Sequence, residues 1–142
     1  MTASMTYKGF ILLVLTLLFV ACNEDAMPDT SDDSSNSLVA ITSLADFQTE
    51  SEEGISLFFF HATWCSICAN QRPAIEALPD EEELESMFFG DVDYEAVQEV
   101  VSATGVQGFP TILIFKDGEE QDRLTGSGHS VDKLKNILLE LE

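Results

Sequence analysis

The stretch Trp64-Cys65-Ser66-Ile67-Cys68 decides the fold and the chemistry of this chain. An apolar run over residues 55–60 precedes it and predicts a buried strand, and residues 69–78 after it predict a helix. The two cysteines therefore lie on a strand-to-helix turn. Cys65 falls at or just before the helix N-terminus, where unpaired backbone N–H groups and the helix dipole favour a thiolate. A thiolate is the form of cysteine that attacks another sulfur atom.

The spacing of the cysteines makes Cys68 a second reactive group. Cys65 and Cys68 lie one helical turn apart, so a disulfide between them opens and closes with little backbone movement. A mixed disulfide formed at Cys65 is then open to attack by Cys68. Two alternatives remain, an inert structural disulfide and a metal site in which His61 adds a third ligand. Zinc sites usually show two cysteine pairs, or one pair and two histidines, so we expect no metal.

The composition limits the number of domains and the kinds of partner that the chain can bind. The chain of 142 residues has room for one domain with a core. It carries 26 Asp and Glu against 6 Lys and Arg, which gives a formal net charge of −20. So few cations cannot form a basic patch, and we expect no nucleic-acid partner. We interpret the acidity as that of a solvated surface, rather than as a site for a cationic partner.

The N-terminal segment has the pattern of an export signal. A positively charged start precedes an apolar run over residues 10–21, which is shorter than the ~20 residues needed to cross a bilayer. The run ends in a small residue before Cys22, which resembles the lipobox of bacterial lipoproteins, although Phe19 replaces the usual leucine. We expect removal of residues 1–21 and lipidation of Cys22. The alternatives are an uncleaved anchor helix and ordinary signal-peptidase cleavage.

The rest of the chain divides into a tether and one domain. Residues 22–37 are rich in Ser and Asp and predict a disordered acidic tether, and residues 38–142 predict the folded domain. The predicted strands are 38–41, 55–61, 86–92, 111–115 and 121–125, and the predicted helices are 44–50, 69–78, 94–104 and a last one from Ser130. Alternating strands and helices indicate parallel pairs, and the Asp117-Gly118 turn adds an antiparallel edge. The fold class is therefore a mixed α/β sandwich.

Several landmarks in order resemble the thioredoxin family over residues 38–142. They are the Trp64-Cys65-x-x-Cys68 motif, Pro73, the segment Phe109-Pro110-Thr111, the segment Phe115-Lys116-Asp117-Gly118-Glu119, and Gly126. The resemblance implies the thioredoxin fold, a mixed central sheet flanked by helices. It also implies thiol–disulfide exchange through Cys65 and Cys68 without a cofactor.

The resemblance further implies a site for polypeptides. Pro110 is expected to be a cis proline that places the backbone of Phe109 against Cys65, as a hydrogen-bonding edge for an extended substrate. Trp64, Ile67, Phe109 and Gly126 are then expected to form an apolar rim around Cys65, and such a rim suits a polypeptide better than a small molecule. The alternative is that Trp64 and Phe109 are core aromatics.

Two positions depart from the family pattern. Relatives often carry a buried aspartate at the position of Phe59, paired with a lysine at the position of Phe89, and this aspartate handles protons for the second cysteine. Both positions are apolar here. His61 is the candidate replacement, because it points to the same face of the strand as Phe59 and because imidazole titrates near neutrality. A purely structural histidine is the alternative.

These observations predict a lipid-anchored thiol–disulfide oxidoreductase of the bacterial cell envelope, facing the periplasm. Its expected substrates are exported polypeptides with thiols or disulfides. By family analogy, reduction is the expected direction, and a membrane redox partner is then needed to reset the cysteine pair. The competing class is a binding module whose disulfide stays closed. We expect a monomer.

Overall fold

A computed structural model describes residues 37–142 of the chain. The predicted signal peptide at residues 1–21, the predicted lipidation site Cys22 and the tether before Ser37 lie outside the described residues. Within residues 37–142, no helix is long and apolar enough to cross a membrane.

In the described part of the chain, five strands form one mixed sheet in the spatial order β1-β3-β2-β4-β5. The strands are β1 (Val39–Ala40), β2 (Ile55–His61), β3 (Phe88–Asp93), β4 (Thr111–Lys116) and β5 (Glu119–Thr125). β3 lies between β1 and β2 and runs parallel to both, while β4 is antiparallel to β2 and to β5. Asp117 and Gly118 join β4 to β5 with positive φ angles of 50° and 84°, the two-residue hairpin that the sequence predicts. The predicted fold class is confirmed.

Within residues 37–142, four α-helices cover the sheet. They are α1 (Leu44–Glu52), α2 (Ser66–Glu76), α3 (Gln98–Thr104) and α4 (Val131–Leu139). Serine caps begin two of them: Ser43 Oγ accepts the N–H of Asp46 at 3.1 Å, and Ser130 Oγ accepts the N–H of Lys133 at 3.3 Å. Each cap satisfies a backbone donor that lacks a partner inside its own helix.

β2 is the centre of the core. Residues 57–60 have no solvent-exposed surface. Because side chains alternate along a strand, Leu57 and Phe59 face the apolar cluster under α2 and α4, which also contains both cysteines of the pair. Phe58 and Phe60 face the second cluster, under α1 and α3. The strand that leads to the cysteines is therefore packed on both faces.

A close approach of backbone and ring fixes the contact between β2 and β3. A Cβ atom at Gly90 would lie 2.5 Å from Cδ1 of Phe58 and 3.0 Å from its Cε1. The Phe58 ring is itself packed against the rings of Phe47 and Phe88, at centroid distances of 4.5 and 5.8 Å. Since the ring has no free space to move into, the residue opposite it must lack a side chain.

The structure corrects two predicted helices. The helix predicted at residues 94–104 begins only at Gln98, because the preceding residues form a turn. In that turn the N–H of Tyr94 donates to His61 O at 2.9 Å, and Asp93 Oδ1 accepts the N–H of Glu95 at 2.9 Å. The helix predicted at residues 69–78 is α2, which begins at Ser66, continues through Pro73 and ends at Glu76. Two short 3₁₀ turns follow it, Leu78–Asp80 and Glu82–Leu84.

Candidate active site

The paired cysteines lie at the junction of β2 and α2. β2 ends at His61, and residues 62–65 lead into α2, whose N-cap is Cys65. The sulfur atoms of Cys65 and Cys68 are joined as a disulfide, 2.05 Å apart. The backbone N–H of Cys68 also points at Cys65 Sγ, at 3.2 Å. The first turn of α2 carries no acid, so this helix terminus favours negative charge on the Cys65 sulfur.

The surface beside the disulfide is apolar and exposed. Only 8% of Cys65 and 3% of Cys68 is exposed, whereas Trp64 is 66% exposed and Ile67 is 47% exposed. Trp64 is therefore not a core aromatic. A partner that approaches Cys65 meets these apolar side chains before it reaches the sulfur.

Phe109 lies beside Trp64 and is half-buried against both apolar clusters, and Pro110 after it is buried. Their peptide bond is cis, as the resemblance implies. The Phe109 ring meets the Trp64 ring edge-on at a centroid distance of 6.0 Å, and the N–H of Gly126 donates to Pro110 O at 2.9 Å. A groove of about 340 Å³ is lined by Phe109, Pro110 and Gly126. Of the predicted rim residues, Trp64 and Phe109 are therefore in contact, Gly126 is bonded to the residue after Phe109, and Ile67 lies on the first turn of α2.

His61 lies on the same face of β2 as Phe59, as the alternation of side chains predicts. The two rings stack with centroids 5.5 Å apart and planes 18° apart. His61 lines a cavity of about 460 Å³ together with Cys65 and Cys68. The imidazole and the cysteine pair therefore border one space. In the described part of the chain, no group of three or more His, Cys, Asp or Glu side chains is placed to hold a metal ion.

Comparisons with known proteins agree with this geometry. The family model named Thioredoxin matches residues 38–140. The chain belongs to the thioredoxin family. The thioredoxin of Chlamydia caviae is 34% identical over 89 residues, which cover 63% of this chain and 85% of that protein. The thioredoxin of Listeria monocytogenes is 37% identical over 82 residues, which cover 58% of this chain and 79% of that protein.

Solved structures show the same likeness. The X-ray structure of Fasciola hepatica thioredoxin matches this protein with a TM-score of 0.64 and 28% identity, covering 74% of this chain and 100% of that one.

Family membership and the disulfide-bonded Cys65–Cys68 pair make this thioredoxin-family protein a thiol–disulfide oxidoreductase. The two positions that depart from the family pattern are buried and apolar in the fold, since Phe59 is 0% exposed and Phe89 is 5% exposed.

Glu95 is a site residue that sequence reasoning missed. Its carboxylate accepts the backbone N–H of Thr63 at 2.9 Å and the Thr63 hydroxyl at 2.8 Å. These hydrogen bonds hold the pKa of Glu95 below its usual range. They also fasten the loop before Trp64 to the turn after β3. Glu95 is one of 26 acidic residues, and no local pattern singles it out.

Gln71 fastens a second loop to α2. It is 1% exposed and lies three residues after Cys68. Its Nε2 donates to His129 O at 2.7 Å, and its Oε1 accepts the N–H of His129 at 3.0 Å. Both polar groups of this buried amide are therefore satisfied. The pair holds the loop that contains Gly126 against the helix that carries Cys68.

We expect Gln71→Glu to lower the free energy of unfolding by about 1–3 kcal/mol. A carboxylate cannot donate to His129 O, and it would place a charge at a buried position. Urea denaturation at neutral pH measures the change, and amide exchange at residues 126–129 should become faster. Gln98→Glu is the matched control, because Gln98 is exposed on the first turn of α3 and should tolerate the same change. Equal stabilities of Gln71→Glu and the native protein would contradict the role of this pair.

Proposed function

We propose that this protein is a lipid-anchored reductant of disulfides in exported polypeptides, facing the periplasm of a bacterial cell. The observation that carries the proposal is the exposed apolar pair, Trp64 and Ile67, next to a cysteine pair that is itself almost buried. A flexible polypeptide can cover these side chains and present its own disulfide to Cys65. The backbone of Phe109, next to the cis Pro110, supplies a hydrogen-bonding edge for it.

The reaction proceeds in two exchanges. The Cys65 thiolate attacks a substrate disulfide, so that one substrate sulfur leaves as a thiolate and the other stays bonded to Cys65. Cys68 then transfers its thiol proton to His61, and its sulfur attacks Cys65 Sγ. The Cys65–Cys68 disulfide closes, the mixed disulfide breaks and the second substrate sulfur leaves as a thiolate. Two electrons have then passed from the cysteine pair to the substrate.

The structure supports the roles of the two sulfurs. Cys65 occupies the N-cap of α2, where the N–H of Cys68 donates to its sulfur, so Cys65 is the sulfur whose negative charge is stabilised. Cys68 lies deeper in the core, with 3% of its surface exposed, and borders the same cavity as His61. A buried thiol needs a neighbouring base to ionise near neutrality, and His61 is that base in our proposal.

The location and the partner follow from the sequence and from redox chemistry. Lipidation of Cys22 would hold the domain at the membrane through the tether, because a chain with a net charge of −20 gains nothing from anionic headgroups. In an oxidising compartment the closed pair must be reopened before the next cycle. We propose that a membrane electron donor reduces it.

We expect Cys68→Ala to accumulate mixed disulfides with exported polypeptides through Cys65, because the resolving sulfur is gone. Acid quenching, alkylation of free thiols and non-reducing electrophoresis with mass spectrometry identify the adducts. The double variant Cys65→Ala with Cys68→Ala is the control and should form none. A binding module with a permanently closed disulfide would give no adducts with either variant.

We expect the reduction potential of the Cys65–Cys68 pair to be about −270 mV, in the range of a reductant. Trp64 lies directly before Cys65, so its fluorescence in a series of thiol/disulfide buffers reports the opening of the pair. The double variant without both cysteines gives the signal that is independent of redox state. A value above about −180 mV would contradict the proposed direction, and one below about −300 mV would favour the binding module.

We expect the full-length protein to fractionate with membranes, and Cys22→Ala to release it, because acylation needs the Cys22 sulfur. Immunoblots of membrane and soluble fractions after expression in a bacterium measure the partition. Cys65→Ala also removes one thiol and should stay with the membrane. If Cys22→Ala does not change the partition, the lipid anchor is wrong.

A further inference from the structure

Polar side chains gather around the buried ring of Phe59, where the family often has a buried acid. Asp91 is the residue of β3 directly opposite Phe59 in the parallel register. Its Oδ1 lies 2.9 Å from Nε2 of His61. The N–H of Nε2 is not well directed at that oxygen, although the nitrogen itself is buried. The contact is therefore close and mainly electrostatic.

Arg72 completes this group from α2. Its Nη2 lies 3.1 Å from Asp91 Oδ1, and its guanidinium carbon lies 5.2 Å from the centroid of the Phe59 ring. The same Phe59 ring stacks on His61. Asp91 is thus held between a permanent cation and an imidazole, and both of these groups are oriented by one fully buried aromatic ring.

Asp91 is charged in this arrangement. Burial opposes its ionisation, but the close imidazole of His61 and the Arg72 guanidinium outweigh burial and hold the pKa of Asp91 below its usual range. A carboxylate that faces Nε2 favours the tautomer with its proton on Nε2. The lone pair that accepts a proton is then on Nδ1.

Other charged groups also surround the imidazole. Glu76 lines the cavity shared by His61 and the cysteine pair, and it pairs with Arg72 at 3.3 Å. The carboxylate of Glu95 is bound to the N–H and the hydroxyl of Thr63. Asp93 is opposite His61 in the register, and its carboxylate binds the N–H of Glu95. Of these acids, Asp91 alone is in salt-bridge contact with His61 in the described part of the chain.

We infer that Asp91 is a positioning residue for His61 in the step that releases the substrate. This inference rests on the proposed function. Asp91 sets the tautomer of the imidazole and stabilises the imidazolium that forms when Nδ1 takes the proton of Cys68 Sγ. The electron pair left on the Cys68 sulfur forms the bond to Cys65 Sγ, and the bond from Cys65 to the substrate breaks with its electron pair on the leaving thiolate. Arg72 keeps the carboxylate in place.

The test follows both exchanges in the reduced full-length protein with an aromatic disulfide, dithiobis(nitrobenzoate), in a stopped-flow spectrometer. The first release of thionitrobenzoate reports attack by Cys65 and depends on reagent concentration. The second release reports attack by Cys68 and does not. Rates are recorded from about pH 5 to about pH 9, a range that spans the titration of imidazole and of a thiol.

We expect Asp91→Asn to slow the second release about tenfold or more near neutral pH and to leave the first release unchanged. The pH midpoint of the second release should move down, because the imidazolium loses its carboxylate. At high pH, where Cys68 ionises without a base, the second release of Asp91→Asn should be as fast as that of the native protein. Asp80→Asn is the matched control, since it makes the same change at an exposed carboxylate that does not line the cavity, and it should behave like the native protein.

A His61→Gln background distinguishes a role of Asp91 through His61 from a purely structural role. In His61→Gln protein, Asp91→Asn should cause no further slowing, because its effect acts through the imidazole. Asp91→Glu keeps the carboxylate charge, so its second release should have the native pH midpoint. This variant tests the inference even if Asp91→Asn proves unstable. A slowing that is equal at every pH, or that persists in His61→Gln protein, would overturn the inference. If the native protein releases only one equivalent, the proposed function fails as well.

Discussion

The burial of β2 between two apolar layers is the constraint on which the rest of the structure depends. Residues 57–60 are fully buried, and each such side chain contributes about 1.5–3 kcal/mol on burial. A slip of one residue would exchange the two faces of the strand, so the pairing with β3 and β4 is fixed. His61, at the end of this strand, and Cys65, four residues later, are thereby placed relative to Asp91. The geometry of the site is a product of core packing.

The same core explains where the proton-handling groups lie. With Phe59 at the position where relatives often carry an acid, the space behind the cysteines is apolar, and an unpaired charge there would be costly. The charges lie instead at the end of the strand, where the side chains of His61, Asp91 and Arg72 are 12%, 25% and 30% exposed. They pair with one another while keeping contact with solvent, which reduces the desolvation that a buried ion pair must overcome.

The features that the sequence predicted are those determined by neighbouring residues. The turn that carries the cysteines and the Asp117-Gly118 hairpin both depend on local chemistry. The features it missed join distant parts of the chain. Gln71 and His129 are separated by 58 residues, and Arg72 and Asp91 by 19. Pattern and spacing along the chain carry no information on such pairs, and the turn before α3 was missed because its bonds to β2 and β3 override a helical pattern.

Gly90 shows how tightly two neighbouring strands share space. The Phe58 ring occupies the volume that a side chain at position 90 would need, so the space at these two positions accommodates one aromatic ring and no second side chain. Neither position can change size independently of the other. In related sequences that keep this sheet, we expect the side-chain volumes at positions 58 and 90 to vary together, so that a larger residue on β3 is accompanied by a smaller one on β2.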